Sequence, residues 1–174
     1  MRSPSTPFEF LVGDLLRHHG EERSERIEAP ADIGVELSSL VPEEPLVVDL
    51  RLRGVSGGVL AEGTVRFTVR HRCYRCLVEW EEYEEVRFRE LIATPDLAEA
   101  EQADYVLSGE LLDLGPVVRD AVILELPLLP LCRDDCAGLC PTCGADLNSG
   151  ACPGHDEVST SPFAGLRDLL ETQE

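Results

Sequence analysis

Alternation of apolar and polar residues predicts a β-hairpin in the first half of the chain. Apolar residues occupy every second position from Leu46 to Leu52, and a second alternating run extends from Gly63 to Val69. This period of two places the apolar side chains of each run on one face of a strand. Because the turn sequence Ser56-Gly57-Gly58 separates the two runs, we expect the strands to pair as a hairpin.

A third strand follows the hairpin and leaves Cys73-x-x-Cys76 in the turn before it. The apolar residues of this strand share one parity, and they are Val78, Trp80, Val86 and Phe88. Tyr83 has the opposite parity, which predicts a β-bulge near Glu82. The turn allows the sulfur atoms of Cys73 and Cys76 to point in the same direction.

One main helix is predicted between Asp113 and Pro127. Asp113 is a suitable N-cap, Pro116 fits the first turn, and Pro127 ends the helix. We expect the apolar face of the helix to pack across the sheet. The residues of that face are Leu114, Val117, Val118, Ala121, Val122 and Leu124.

Weaker patterns predict four further elements. A short helix is expected around Leu11–Leu16, with Gly20 ending it. Residues 93–103 are acidic and predict a mobile loop, and Tyr105–Leu107 predicts a short strand. Near the C-terminus, Pro162–Leu170 has the apolar spacing of a short docking helix.

Composition and charge restrict the class of partner. The chain has 174 residues and a net charge of −19, and all its basic residues apart from histidine are arginines. Such a charge repels phosphate and opposes indiscriminate nucleic-acid binding, whereas it suits a basic partner or serves solubility alone. No segment has the pattern of a signal peptide or a membrane span. We therefore expect a cytoplasmic protein with reduced thiols and no membrane partner.

A single basic segment interrupts the acidic chain. No acidic residue occurs between Glu62 and Glu79, and the basic residues there are Arg66, Arg70, His71, Arg72 and Arg75. Cys73 and Cys76 lie within the same segment. Two interpretations remain open: the arginines are cross-strand partners of nearby glutamates, or they contact RNA phosphate or another anion.

Cysteine density predicts a metal site in the C-terminal part. Five of the seven cysteines lie between Cys132 and His155. The sequence Cys140-Pro-Thr-Cys143-Gly is typical of a zinc knuckle, and tetrahedral zinc needs two further ligands. These come either from Cys132 and Cys136 upstream or from Cys152 and His155 downstream.

Cys73 and Cys76 form a separate pair with several possible roles. They could complete a site with distant cysteines, remain packed thiols, or form a redox dithiol. The redox role is disfavoured because such pairs usually lie at a helix N-terminus, whereas this pair lies between strands.

The sequence offers little support for catalysis. It contains no phosphate-binding loop and no His-Glu-x-x-His motif, and His155-x-Glu157 follows the cysteines instead of preceding them as in zinc deaminases. A metal site closed by four protein ligands leaves no position for substrate or activated water. We therefore expect a protein that is not an enzyme and has no small-molecule substrate.

Three segments together resemble the YceD family, the large ribosomal RNA subunit accumulation proteins. They are Arg72–Leu77, Leu126–Asn148 and the tail motif Ser161–Leu166. The resemblance implies a bacterial role in synthesis, processing or stability of 23S ribosomal RNA. It also implies that the segment after Cys143 varies between members. For that reason we favour Cys132, Cys136, Cys140 and Cys143 as the zinc ligands, with Cys152 and His155 as alternatives.

These observations predict an α+β fold in two parts. Residues 1–131 form a core domain in which one main helix packs on a curled antiparallel β-sheet, and residues 132–174 form a zinc-binding knuckle segment with the docking helix. The expected function is that of a ribosome-biogenesis factor that contacts large-subunit ribosomal RNA or a precursor particle. The residues expected at this contact are Arg66, Arg70, Arg72, Cys73, Arg75 and Cys76. The alternatives are an acidic module or chaperone for a basic ribosomal protein without RNA contact, and a thiol oxidoreductase using Cys73 and Cys76.

Overall fold

The structure is a computed structural model and describes residues 4–101 and 103–155. Strands predominate in this part of the chain, and the helices are short. The strands are β1 (Glu9–Leu11), β2 (Glu22–Ala29), β3 (Gly34–Val35), β4 (Ser38–Leu40), β5 (Leu46–Val55), β6 (Gly58–Arg72), β7 (Glu79–Ala93), β8 (Tyr105–Val106) and β9 (Leu111–Asp113). The helices are α1 (Gly13–Arg17), α2 (Pro95–Glu101), α3 (Gly115–Glu125) and a 3-10 helix at Leu147–Ser149.

Two long hairpins form the centre of the main sheet. β5 and β6 pair antiparallel around the turn at Gly57, as the alternating pattern predicts. The left-handed φ of Gly57, +84°, is a conformation that glycine adopts readily. β6 and β7 then pair from Gly58↔Ala93 to Arg72↔Glu79. The turn that connects them contains Cys73 and Cys76, which confirms their predicted place between antiparallel strands.

The bulge predicted near Glu82 is absent from this hairpin. The β6–β7 register is continuous, with Val69↔Glu82 and Thr68↔Tyr83 as successive pairs. Tyr83 has the opposite parity from Trp80 because its side chain lies on the outer face, where 65% of it is exposed. An exposed aromatic residue therefore explains the break in the pattern, and no extra residue is inserted.

The remaining strands extend the sheet on both sides of β6. One side of β6 pairs with β5 and, further along, with β4, which gives the order β2-β5-β6-β4-β3. The other side pairs with β7, and β8 joins β7 in parallel at Ile92 and Ala93. β1 and β9 form a separate two-stranded antiparallel sheet.

The core lies on one face of the main sheet and is mostly aliphatic. Its residues come from alternate positions of β5 and β6, from α1 and from α3. α3 packs against β7 through Val117, Val118 and Val122, which are buried. Leu124, predicted for this apolar face, is instead 85% exposed. Its side chain lines a groove between α3 and β7.

The ends of α3 differ slightly from the prediction. The N-cap position is Leu114, and the side chain of Asp113 accepts a hydrogen bond from the Gly115 N–H at 2.8 Å. Asp113 therefore still satisfies one of the free N–H groups at the helix start. The predicted first-turn position of Pro116 and the end of the helix before Pro127 are confirmed.

The mobile loop predicted at residues 93–103 is wrong, because most of this segment forms α2. Pro95 occupies the first position of the helix, and the Ala98 N–H donates to the carbonyl of Thr94 at 2.9 Å. The side chain of Leu97 lies over Gly57 at the β5–β6 turn. The acidic composition of the segment led to the prediction of a loop instead of this helix. The strand predicted at Tyr105 is confirmed as β8.

The fold is therefore mixed α+β, with a large, mainly antiparallel sheet, few short helices and cysteine clusters towards the C-terminal part. The curl of the sheet remains a prediction. The two-part division at residue 131 also remains one, and the docking helix predicted at Pro162–Leu170 lies outside the described residues. Within those residues, no helix combines the length and apolar character needed to cross a membrane.

Candidate metal centres

Four cysteines from two distant parts of the chain form the first cluster. They are Cys73, Cys76, Cys132 and Cys136, and their sulfur atoms all lie within 4.8 Å of one another. The sulfurs of Cys73 and Cys136 are 3.9 Å apart, and those of Cys76 and Cys132 are 3.6 Å apart. This arrangement joins the β6–β7 turn to the segment that follows α3.

The β6–β7 turn presents its two cysteines through backbone hydrogen bonds. The Cys73 N–H donates to the Val78 carbonyl at 2.9 Å, and the Leu77 N–H donates to the Cys73 carbonyl at the same distance. Leu77 has a φ of 62°, which is unusual for a residue with a branched side chain. The Tyr74 N–H also donates to the carbonyl of Pro130 at 3.0 Å. The turn is therefore fixed at its base and against the second segment.

The second cluster is local in sequence and consists of Cys140, Cys143, Cys152 and His155. The Cys140 N–H donates to the Ala145 carbonyl, and the Gly144 N–H donates back to the Cys140 carbonyl, each at 2.8 Å. Gly144 has a left-handed φ of +73°, as expected for the glycine of a knuckle. The sulfurs of Cys143 and Cys152 are 3.9 Å apart.

Asn148 lies between Cys143 and Cys152 in sequence, and its side chain contacts the first cluster. Its side-chain amide donates to the sulfur of Cys136 at 3.6 Å, and its side-chain oxygen accepts from the Ala137 N–H at 2.8 Å. The same oxygen accepts from the Arg133 guanidinium at 2.7 Å. Asn148 follows the knuckle in sequence yet contacts a ligand of the first cluster. Its amide therefore holds the Cys136 sulfur in place through a hydrogen bond, as groups around metal sites do for the ligands they contact.

Backbone N–H groups favour thiolates at two of the cysteines. Burial raises the pKa of Cys73, but N–H groups that include those of Cys132 and Cys76 outweigh it and lower the pKa to about 6. The N–H group of Cys143 is the main cause that lowers the pKa of Cys140, also to about 6. At Cys132, desolvation and the neighbouring sulfurs raise the pKa instead. Each cluster therefore contains one cysteine whose lowered pKa favours the thiolate: Cys73 in the first cluster and Cys140 in the second.

The sulfur geometry fits a tetrahedral metal ion. A zinc–sulfur distance of about 2.3 Å gives sulfur–sulfur separations of about 3.8 Å along the edges of a tetrahedron. The observed separations of 3.6–3.9 Å agree with that value. A disulfide would require about 2.05 Å, and all seven cysteines are free. Both four-residue groups could therefore hold a metal ion.

The structure divides the favoured ligand set between the two clusters. Cys132 and Cys136 group with Cys73 and Cys76, whereas Cys140 and Cys143 group with the pair that the sequence left as the alternative. The physical reason is that residues 132–136 follow α3 and meet the β6–β7 turn, while the knuckle turns towards its own downstream residues. The upstream pair and the knuckle are thus close in sequence but serve different clusters.

Arg70 and Arg72 are two of the three arginines of the basic segment on β6, and both are paired across to β7. A nitrogen of Arg70 lies 2.7 Å from a carboxylate oxygen of Glu81, and one of Arg72 lies 2.6 Å from Glu79. Each pair joins directly opposite residues of the hairpin. This arrangement agrees with the interpretation of these arginines as cross-strand partners of glutamates. Contact with RNA remains a prediction.

The other two arginines are also engaged. Arg66 contacts both Asp49 of β5 and Glu85 of β7, and these carboxylates raise its pKa above the usual value. Arg75 donates to the backbone carbonyl of Cys136 at 2.8 Å. Arg75 therefore stabilises the contact between the β6–β7 turn and the segment that contains Cys136.

Sequence reasoning missed a second group of arginines, on the outer face of the sheet. A concavity of about 640 Å³ collects Arg26, Arg51, Arg87 and Arg89 from three strands. The side chain of Arg87 is 83% exposed. These residues are distant in sequence, so their proximity could have been predicted only from the register of the strands.

The comparisons with known proteins agree with the resemblance noted in the sequence. The family described as large ribosomal RNA subunit accumulation protein YceD matches residues 61–170. An uncharacterized protein of Mycobacterium tuberculosis is 39% identical over 176 residues, covering 97% of this chain and 84% of that protein. An uncharacterized protein of Mycobacterium leprae is 38% identical over 173 residues, covering 95% and 78% respectively.

A plant relative carries the family description in its name. The chloroplastic large ribosomal RNA subunit accumulation protein YCED homolog 1 of Zea mays is 25% identical over 194 residues, covering 89% of this chain and 64% of that protein. No solved structure matches. The matched range of the family includes all eight residues of the two clusters. The chain belongs to the YceD family.

Proposed function

We propose that this protein is a ribosome-biogenesis factor that supports synthesis, processing or stability of 23S ribosomal RNA and is not an enzyme. The family match over residues 61–170 carries the proposal, because the family description names large ribosomal RNA subunit accumulation. The matched range contains α3, both clusters and all of the β6–β7 hairpin except the first three residues of β6. We place this role in the cytoplasm, without a membrane partner or a small-molecule substrate.

We propose zinc as the metal of both clusters. Four thiolates, or three thiolates and an imidazole, are the usual ligand sets of structural zinc. Sites closed by four protein ligands leave no open coordination position, which supports a structural role and argues against catalysis. Zinc in the first cluster would hold the segment after α3 against the β6–β7 turn. The same closure argues against a thiol oxidoreductase using Cys73 and Cys76.

The proposed partner is a precursor of the large ribosomal subunit. Within it, RNA phosphate is the expected contact of the arginines on β6 and in the β6–β7 turn. The ion pairs of Arg70 and Arg72 reduce the charge that these residues offer to phosphate. This observation, with the net charge of −19, favours a second candidate, in which the acidic surface engages a basic ribosomal protein without RNA contact.

Depletion of the protein from its host tests the main proposal. We expect the ratio of large- to small-subunit ribosomal RNA to fall, and the wild-type gene to restore it. An unchanged ratio after depletion would contradict the proposed role.

Variants separate the two candidates for the contact. Arg70→Glu, Arg72→Glu and Arg75→Glu together should abolish rescue and particle association if RNA phosphate is bound there. The matched control is Arg26→Glu with Arg53→Glu and Arg89→Glu, which reverses the same number of charges and also breaks exposed ion pairs of this sheet. Rescue and particle association retained by the triple variant would favour the basic-protein candidate instead.

A further inference from the structure

One long side of β7 pairs with no strand between Glu79 and Leu91 in the described part of the chain. β6 occupies the opposite side over the full length of β7, and β8 pairs only with Ile92 and Ala93 at the far end. At about 3.3 Å per residue, the open edge is roughly 40 Å long. Such an edge is a template for a further strand.

The hydrogen-bonding pattern identifies the backbone groups that face the open edge. The Cys73 N–H donates to the Val78 carbonyl, and the Thr94 N–H donates to the Gly57 carbonyl. Both contacts follow the β6–β7 register, so the even-numbered residues of β7 form the hydrogen-bonded pairs with β6. The N–H and C=O groups of the odd-numbered residues therefore point away from β6. Tyr83 lies near the middle of this row.

Carboxylates without ion pairs flank the edge. Glu82 and Glu84 lie on the same face of β7, two residues apart, and Glu90 continues that face. A groove of about 240 Å³ between β7 and α3 adds two acidic residues of the helix. In the described part of the chain, no ion pair is formed by Glu82, Glu84, Glu90, Asp120 or Glu125.

Basic and acidic side chains both line the groove: Arg87 and Arg89 of β7 lie beside Glu90, Asp120 and Glu125. Burial is the main cause that raises the pKa of Tyr105 to about 12, and the hydrogen bond to Asp120 and the charge of Glu90 raise it further. Leu124, on the α3 side of the groove, leaves 85% of its surface exposed. The groove therefore combines acidic side chains on α3, two arginines of β7 and an apolar contact.

We propose that the open edge of β7 binds an extended segment of a lysine- or arginine-rich polypeptide as an added β-strand. The backbone of the segment pairs with the odd-numbered residues of β7. Its basic side chains, at every second position, contact Glu82 and Glu84, because opposite residues of paired strands have Cβ atoms about 5 Å apart. Apolar side chains contact Leu124. This inference rests on the proposed function only for the source of the segment, a basic ribosomal protein.

Charge distinguishes this occupant from a second copy of the chain. Two copies that pair through β7 would bring two acidic edges together, and each copy has a net charge of −19. Like charges opposite one another destabilise strand pairing. A basic segment removes the same repulsion, so the open edge favours it.

The first experiment measures binding of a labelled synthetic peptide in which Lys and Thr alternate over the length of the edge. Two control peptides replace every Lys by Glu, or carry an N-methyl group on every backbone amide while keeping every Lys. We expect only the unmodified lysine peptide to bind. Equal binding of the N-methylated peptide would overturn strand addition, because that peptide keeps the charge but cannot pair.

Variants of the protein locate the binding site. Glu82→Gln with Glu84→Gln should weaken peptide binding roughly tenfold, the scale of one exposed ion pair for each carboxylate. The matched control, Glu28→Gln with Glu36→Gln, removes the same charge from exposed positions elsewhere. Equal weakening by both pairs would overturn the proposed site.

A proline variant tests the backbone contact. Tyr83→Pro removes an N–H that points away from β6, whereas Tyr83→Thr keeps it. We expect the proline variant to lose peptide binding and the threonine variant to keep it, with unchanged circular dichroism in both. A dimeric wild-type protein that the proline substitution makes monomeric would overturn the inference in favour of a second copy.

The peptide assay tests the strand-addition proposal, and the ribosomal RNA ratio tests the proposed function, so the two proposals can be refuted separately. Peptide binding as predicted, with an unchanged RNA ratio after depletion, supports the edge and contradicts the proposed function. Absence of peptide binding, with a lowered RNA ratio, contradicts the edge and leaves the proposed function supported.

Discussion

The two clusters should contribute unequally to global stability, and Cys73→Ser and Cys143→Ser form the matched pair that tests this. Each substitution replaces one sulfur ligand by a hydroxyl of similar shape. Cys73 and Cys136, in the first cluster, are 63 residues apart, whereas Cys143 and Cys152, in the second, are 9 apart. The first cluster therefore closes a loop that contains β7, α2 and α3.

The magnitude follows from loop closure. A cross-link that closes a loop of this length lowers the entropy of the unfolded chain by the equivalent of about 4 kcal/mol. For a domain of this size, 1 kcal/mol corresponds to about 2–4 °C in Tm. We expect Cys73→Ser to lower Tm by roughly 10 °C. Cys143→Ser should loosen residues 140–155 and lower the global Tm by less than about 3 °C, because the sheet does not depend on that short loop.

Metal analysis and calorimetry on the same samples provide the test. The wild type should contain two zinc ions per chain, and each variant should contain one. Wild type treated with a strong chelator should approach the Tm of Cys73→Ser. Equal Tm losses in the two variants would refute the loop-closure reasoning, and metal-free wild-type protein with full stability would refute the metal sites themselves.

Three further substitutions test core packing and the contact of Asn148 with the first cluster. Leu52→Ala should lower the free energy of unfolding by about 3 kcal/mol in urea titrations, because Leu52 is fully buried in the core; a loss under about 1 kcal/mol would contradict this burial. Gly54→Ala should cost about 2 kcal/mol by the same measurement, because its Cβ would lie 2.1 Å from the Leu15 carbonyl oxygen; unchanged stability would show that α1 moves freely. Asn148→Ala should weaken metal retention roughly tenfold in chelator competition, through the lost contact to the Cys136 sulfur; unchanged retention would exclude that contact.

The sheet could be predicted from sequence to the extent that its strands have one buried face. β5 and β6 alternate strictly, so their hairpin and the cysteine turn were predicted correctly. β7 was predicted as a strand but with a bulge, because exposed Tyr83 resembles a misplaced core residue. α2 was missed because its helical signal, a proline start followed by alanine and glutamate, lies within an acidic stretch.

The grouping of the cysteines could not be obtained from local spacing. Spacing placed the upstream pair next to the knuckle, where the distance along the chain is shortest. The actual grouping depends on how α3 crosses the sheet and delivers Cys132 to the β6–β7 turn. Cys73 and Cys76 had distant cysteines among their open alternatives, but the sequence carried no signal for which ones. The cross-strand arginine pairs were one of the two stated interpretations.

The separation of ligands in the first cluster has a consequence for the order of folding. Residues 140–155 contain every ligand of the second cluster, so that cluster can bind metal as a short segment, before the rest of the chain is ordered. The first cluster needs the β6–β7 hairpin and the end of α3 at the same time. Its completion is therefore a late, high-contact-order event, and the rate of metal uptake there reports when the sheet and helix have come together.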